Sequence, residues 1–158
     1  MNKQNFWKWL LLINLAASFY SVGAAWLAQL NWNLWQYVGQ ADFTAYHVAW
    51  WHGIWWAIFP VAGLSLLGIC FQLKWRPPYV RIGVLWFALI LQVIVYAGTA
   101  LYWGPQNGML EAIHSPGGGL NPLYIQLAAS NWIRVALLTL SGLLEAWIAV
   151  ECFVKKVT

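Results

Sequence analysis

Two histidines, His47 and His52, and four tryptophans, Trp50, Trp51, Trp55 and Trp56, crowd the apolar stretch 43–63, FTAYHVAWWHGIWWAIFPVAG. Imidazole is the side chain that exchanges protons near neutral pH and the commonest metal ligand, and large aromatic faces stack well on flat rings. The two histidines stand five residues apart, about 140° around a helix at 3.6 residues per turn. They do not share a face, as an i, i+4 ligand pair would. A metal or haem would therefore draw His47, His52 or the third histidine, His114, from different segments, for example His47 with His114. The other reading of His47 is a hydrogen-bonding group at the rim of a pocket. No Cys–His cluster, CxxCH, HExxH, Walker loop or GxSxG occurs, so nucleophilic and nucleotide chemistry are poorly supported and no catalytic residue can be named.

The other polar residues inside apolar runs fall at helical spacing. Asn14, Ser18, Ser21 and Gln29 form one set, and Gln92, Tyr96, Thr99 and Trp103 a second. A third is Asn131, Arg134, Ser141 and Glu145. Each set lies on one helix face. Intramembrane polar groups are costly and turn toward a bundle interior, so the faces converge either on a ligand pocket or on interhelical hydrogen bonds alone. Arg134 has three readings: snorkelling to headgroups, binding an anionic or carbonyl-bearing ligand, or pairing with Glu111 or Asp42. Glu145 lies about 16 Å further along the same helix, too far to pair with Arg134. As the deepest ionisable group it reads as a neutral acid bonded to Asn14 or Gln92, with a proton-relay role as the functional alternative.

The elements that must position these groups are membrane helices. Of 158 residues, 62% are hydrophobic and 8% charged, against roughly 25% charged in a soluble domain, and the mean hydropathy is +0.61. Four apolar runs, 7–29, 46–71, 82–103 and 122–154, each reach the roughly 20 residues that a hydrocarbon core of about 30 Å requires. The expected fold is all-α, one domain, an integral membrane four-helix bundle. The first run resembles a cleavable signal peptide, but its apolar length exceeds the roughly 7–15 residues of a signal core. Pro60 should kink the second helix. Pro77 and Pro78 should end it. Residues 109–114 in the longest connection are expected to form a helical turn, and Asn121-Pro122 to cap the last helix. Cys70 and Cys152 read as buried small apolar residues rather than a disulfide.

Seven of the eight basic residues (Lys3, Lys8, Lys74, Arg76, Arg81, Lys155 and Lys156) fall at one end of the runs. By the positive-inside rule both termini face the cytoplasm. The charge of +4 thus belongs to topology and offers no argument for nucleic acid. Asp42, Glu111 and all three histidines fall toward the outer side, as do nine of fourteen tryptophans: Trp26, Trp32, Trp35, Trp50, Trp51, Trp55, Trp56, Trp103 and Trp132. An interfacial belt alone would be symmetric, so the outer half is expected to hold an aromatic-lined site.

Several phrases carry a resemblance: Trp26-x-x-Gln29, Val38-Gly39 followed by Phe43-x-x-Tyr46-His47, Pro60, Thr99-Ala100-Leu101 with Pro105, and Asn131-Trp132-Ile133-Arg134. In this order they resemble a widespread family of small four-helix bacterial membrane proteins, and more distantly membrane proteins of the anthrone-oxygenase type. The resemblance implies oxygenation or binding of a flat, quinone-like aromatic. It also implies further histidines near Trp32, Trp50 and Asn107, where this chain has aromatic or amide residues. A metal site of such relatives would be altered here.

The functional expectation is an outer-leaflet pocket for a flat hydrophobic redox ligand: a quinone, haem or polyketide-like molecule. His47 and Arg134 would meet its polar atoms, Gln29 and Asn131 would support them, and Trp50, Trp51, Trp55 and Trp103 would form its walls. Glu145 would be a buried proton site. A metal, held by histidines among His47, His52 and His114, is the cofactor alternative. The rival of another class is a non-catalytic small subunit or assembly factor, its tryptophans facing lipid and a membrane-protein partner or a second copy. A transporter ranks third, because no inverted repeat is visible. With no organelle-targeting segment, a bacterial inner membrane is the default location.

Overall fold

The computed structural model describes residues 3–76 and 79–154, and side chains from Phe6. Pro77, Pro78, Lys155 and Lys156 lie outside the described residues. The elements are α1 (Lys3–Trp35), α2 (Gln40–Ala57), α3 (Phe59–Lys74), α4 (Ile82–Gly98), a π-helical turn (Thr99–Trp103), α5 (Gly104–Gly108) and α6 (Pro122–Val154). They make four spans long and apolar enough to cross a membrane. Their outward faces are apolar: Leu27, Trp56 and Leu101 are among the most exposed side chains, as lipid contact requires. The protein is an all-α integral membrane four-helix bundle.

Pro60 and Pro105 each leave a mark on a span. Pro60 has no N–H and its ring crowds the carbonyl four residues back. The second span accordingly breaks at Ile58 (φ −100°, ψ −50°), which joins α2 to α3. Pro105 follows the π-helical turn, where Gly104 N–H bonds to Thr99 O; the wider ring accommodates a proline that a regular helix would reject. A Cβ on Gly104 would stand 2.7 Å from that carbonyl, so only glycine fits the turn.

The helices reach further than the apolar runs 7–29 and 46–71. The first continues to Trp35, and the second begins at Gln40, so the polar connection shrinks to a tight turn. Its length is consistent with tryptophans and asparagines sitting in the interfacial part of a helix rather than in a loop. The third run does not stop at 103 but proceeds through the π-helical turn into α5. The extra helical turn is therefore Gly104–Gly108. Residues 109–114, expected to be helical, are irregular and lead to an isolated bridge between His114 and Leu120. Asn121 Oδ1 accepts from Leu123 N (2.9 Å) at the start of α6.

Four helices close the half of the bundle nearer the start of α1: α1 packs on α3 and α6, and α4 packs on α3 and α6. Three apolar clusters stack along the axis. Leu11, Val80, Leu85 and Ile148 sit at one end, and Ala25, Val95, Val135 and Leu138 in the middle. Trp32, Trp35, Phe43, Ile113, Tyr124 and Leu127 fill the other end. Leu110 and Ile113 bring the 109–121 connection down as a plug on that last cluster. In contrast α2 makes its main helix contact with α3, and only Phe43 and His47 on it are buried. It is pinned near its N-terminal end, jointed at Ile58, and stands off the bundle between. Cys70 is exposed toward lipid, contrary to the buried position expected; Cys152 is half-buried, and both are free thiols.

Candidate functional site

Behind the stand-off stretch of α2 lies a chamber of about 70 Å³. Trp32, Trp50, Trp51 and Trp103 supply aromatic walls, with Ala24, Ala25 and Ala28 of α1 leaving the space. Arg134, Asn107, Ser21, Tyr96 and Thr99 supply its polar atoms. Two clefts flank α2 and share lining with the chamber. The larger, about 520 Å³, runs between the α2–α3 joint and the π-helical turn, past Trp51, Trp55, Phe59, Tyr96 and Ala100. The smaller, about 370 Å³, runs between α1 and α2 past Tyr20, Gly23 and Ile54.

The hydroxyls of Ser21, Tyr96 and Thr99 donate to the carbonyls of Ala17 (2.9 Å), Ala62 (2.9 Å) and Val95 (2.7 Å). Asn107 Oδ1 accepts from His47 Nε2 at 3.2 Å, which leaves Asn107 Nδ2 without a partner. Trp32 Nε1 is likewise buried and unpaired. The Arg134 guanidinium lies over the Trp103 ring, 5.6 Å from its centroid. Among the described residues no carboxylate or hydrogen-bond partner meets it. Three lining residues therefore keep N–H donors that no described protein group meets: Asn107 and Trp32, whose donors are buried, and Arg134, which is half-buried. Such a set calls for an acceptor oxygen, because a buried unpaired donor carries the full desolvation cost of about 1–3 kcal/mol.

The π-helical turn positions the cation. It swings Trp103 inward, where its Nε1 donates to Ser130 Oγ at 3.0 Å, and its six-membered ring edge presses on Gly98. A Cβ there would come within 2.5 Å of the ring. Gly98→Ala should displace Trp103 at a cost of about 1–3 kcal/mol, the usual penalty of overpacking, and free Arg134 from its platform. Near-ultraviolet circular dichroism would read this. An unchanged tryptophan spectrum would mean that the ring is not held by that contact.

The residues expected to form the site separate into groups. Trp50, Trp51, Trp103 and Arg134 line the chamber. Trp55 lines the larger cleft instead and is half exposed. His47 is not a lining residue: it stacks on Phe43 (5.3 Å between centroids), meets Trp35 edge-on and bonds to Asn107, so it acts on the chamber only through that amide. Gln29 and Asn131 also turn away from a ligand role. Asn131 Nδ2 donates to Gln29 Oε1 at 2.7 Å, and Gln29 Nε2 donates to Asn33 Oδ1 and Ala128 O; they clamp α1 to α6. Arg134 pairs with neither Asp42 nor Glu111, both exposed. The histidines do not converge: His52 is exposed on α2 and His114 sits in the plug. Among the described residues no three His, Cys, Asp or Glu side chains gather to hold a metal ion.

Glu145 lies in the C-terminal half of α6, away from the chamber. Gln72 Nε2, absent from the expected partners, donates to Glu145 Oε2 at 3.1 Å; Asn14 also faces the carboxyl, whereas Gln92 does not meet it. Gln92 is engaged one layer further out, donating to Ser65 Oγ (2.8 Å) and Ser141 Oγ (3.3 Å), with Ser18 Oγ 2.8 Å from Ser65 Oγ. This layer joins α1, α3, α4 and α6 and is the interhelical glue of the bundle. No protein-family model, curated protein or solved structure matches this chain.

Proposed function

We propose that the protein binds a flat hydrophobic redox ligand, quinone-like or polyketide-like, in the outer half of the bundle. One observation carries this reading: an aromatic chamber lined by the half-buried guanidinium of Arg134 and by Asn107 and Trp32, whose buried Nδ2 and Nε1 donors have no partner among the described residues. Carbonyl oxygens on a ring system satisfy such donors, and Trp51, Trp55 and Phe59 along the larger cleft suit a flat apolar body. The chamber is too small for a haem, which would have to lie in the cleft. The resemblance to anthrone-oxygenase-type membrane proteins is in keeping with a flat aromatic ligand. The test is an absorption spectrum and mass spectrometry of an organic extract from protein purified in mild detergent. A stoichiometric ring compound, lost in Arg134→Gln, is the expected result; a clean preparation from cells able to supply such compounds would move the assignment to a non-catalytic subunit of a larger membrane complex.

We place the protein in a bacterial inner membrane with both termini cytoplasmic. Supporting this, Lys8, Lys74, Arg76 and Arg81 flank the apolar cluster of Leu11, Leu73, Val80 and Cys152 at one end of the bundle. Gly117 is exposed in the opposite connection, with open space around its Cα. In a background lacking Cys70 and Cys152, a cysteine at this position should react with an impermeant thiol reagent on intact cells. Reaction only after lysis reverses the orientation.

A further inference from the structure

Arg134 is the one charged side chain in the chamber lining. A guanidinium at this depth normally faces an anion, a carbonyl or water, and nothing in the described protein supplies the anion. The missing charge belongs to the occupant. Its head must be small: at roughly 10–15 Å³ per water-sized probe, about 70 Å³ takes a carboxylate or a ring oxygen, while the glycerophosphate head of a phospholipid is too bulky. Its body must be apolar, because the wider space continuous with the chamber is the cleft between the α2–α3 joint and the π-helical turn. That cleft shares Trp51, Phe59, Ala62, Tyr96, Thr99 and Gly104 with the chamber. Gly63 and Ala100, both exposed, stand at its mouth.

We propose that the chamber takes a membrane-dissolved organic acid, admitted sideways from the bilayer through this cleft, with its oxyanion on Arg134 and its flat body between Trp51 and Phe59. The proposal rests on the ligand-site reading above and adds the charge of the ligand and its route. Asn107 Nδ2 and Trp32 Nε1 give the oxyanion its further hydrogen bonds. The α1–α2 cleft on the other flank is smaller and has none of the Tyr96–Thr99 wall, and it is not the route.

The experiment uses the full chain in nanodiscs of phosphatidylcholine. The probe is a naphthoquinone bearing an alkanoic acid arm, compared with its methyl ester, and the signal is quenching of tryptophan fluorescence. The acid should bind at least about tenfold more tightly than the ester, the value of one charge-assisted hydrogen-bond set. Arg134→Gln should bring the acid to the ester's affinity, and Arg134→Lys should retain part of the difference. Gly63→Leu and Ala100→Leu should slow association about tenfold, while Gly23→Leu, which fills the other cleft, should leave it unchanged. Acid and ester binding alike overturns the proposal and leaves the quinone-pocket reading standing. Displacement of the acid by phosphatidylglycerol also overturns it, since the anion would then be a lipid headgroup. If neither probe binds, both readings fall. Equal rates for Gly63→Leu, Ala100→Leu and Gly23→Leu overturn the route.

Discussion

Gly68→Val is expected to destabilise the protein by about 3 kcal/mol or more, the upper part of the range for overpacking a tight contact. Gly68 faces α1, and a Cβ added there would collide with the Asn14 amide and approach its Cβ at 3.0 Å. Helix pairs in a bilayer gain little from burial of apolar surface, since lipid is equally apolar, and depend on close approach of backbones at small residues. Gly68 is that residue for the α1–α3 pair. Neither helix can give way alone: α1 is fixed on its other side by α6, and α3 by α4. The collision is with one side chain, which makes the claim testable as a cycle. Asn14→Ala removes the obstructing amide, at the modest cost of losing the amide that faces the Glu145 carboxyl. Combined with Gly68→Val it should recover most of the lost stability. Denaturant titration in mixed micelles would measure the four corners. Simple additivity of the two changes would mean that Gly68 is small for another reason.

The four spans were legible because their signal is summed over twenty or more residues and needs no partner. So were the faces that carry polar side chains, since Asn14, Ser18, Gln92, Ser141 and Glu145 all turn inward. What could not be read is which inward residue meets which. Gln72, the donor to Glu145, is absent from the polar stripes, because it lies in the last turn of α3, beyond the apolar run that ends at 71, and reads as the start of a loop. Asn107 was hidden similarly. The string Gly-Pro-Gln-Asn-Gly looks like a turn, yet a π-helical turn carries the helix through it and buries the amide against His47. Trp32 and Trp50 were visible as aromatic, but that one has a buried unpaired N–H and the other packs edge-on against Trp35 depends on how far α2 stands from α1. Periodicity has no access to that distance. The same stand-off explains the misplaced roles of Gln29 and Asn131. They share a face with the site, but α1 and α6 meet so closely there that the two amides find each other first.

Gln72→Leu should cost about 2 kcal/mol, and adding Glu145→Leu should return much of it. The Glu145 carboxyl is 1% exposed, Gln72 is fully buried, and Gln72 Nε2 is the donor that meets Oε2. Removing the donor alone strands a buried carboxyl, and an unpaired buried polar group carries a desolvation penalty of about 1–3 kcal/mol. Hydrogen bonds between membrane helices average about 0.6 kcal/mol in mutant cycles and reach about 1.7, so the bond itself is the smaller part of the loss. Replacing both members by leucine removes the stranded group together with its partner. The second substitution is thus predicted to stabilise the first variant even though it would destabilise the native protein, a change of sign that packing alone does not produce. Leucine fills comparable space beside Ile148 and Ile69, both fully buried. Glu145→Gln keeps an acceptor for Gln72 and should stay within about 1 kcal/mol of the native protein. The decisive measurement is the double-mutant cycle in the same micelles. If Glu145→Leu destabilises equally in both backgrounds, the two side chains are independent and Gln72 does not hold the carboxyl.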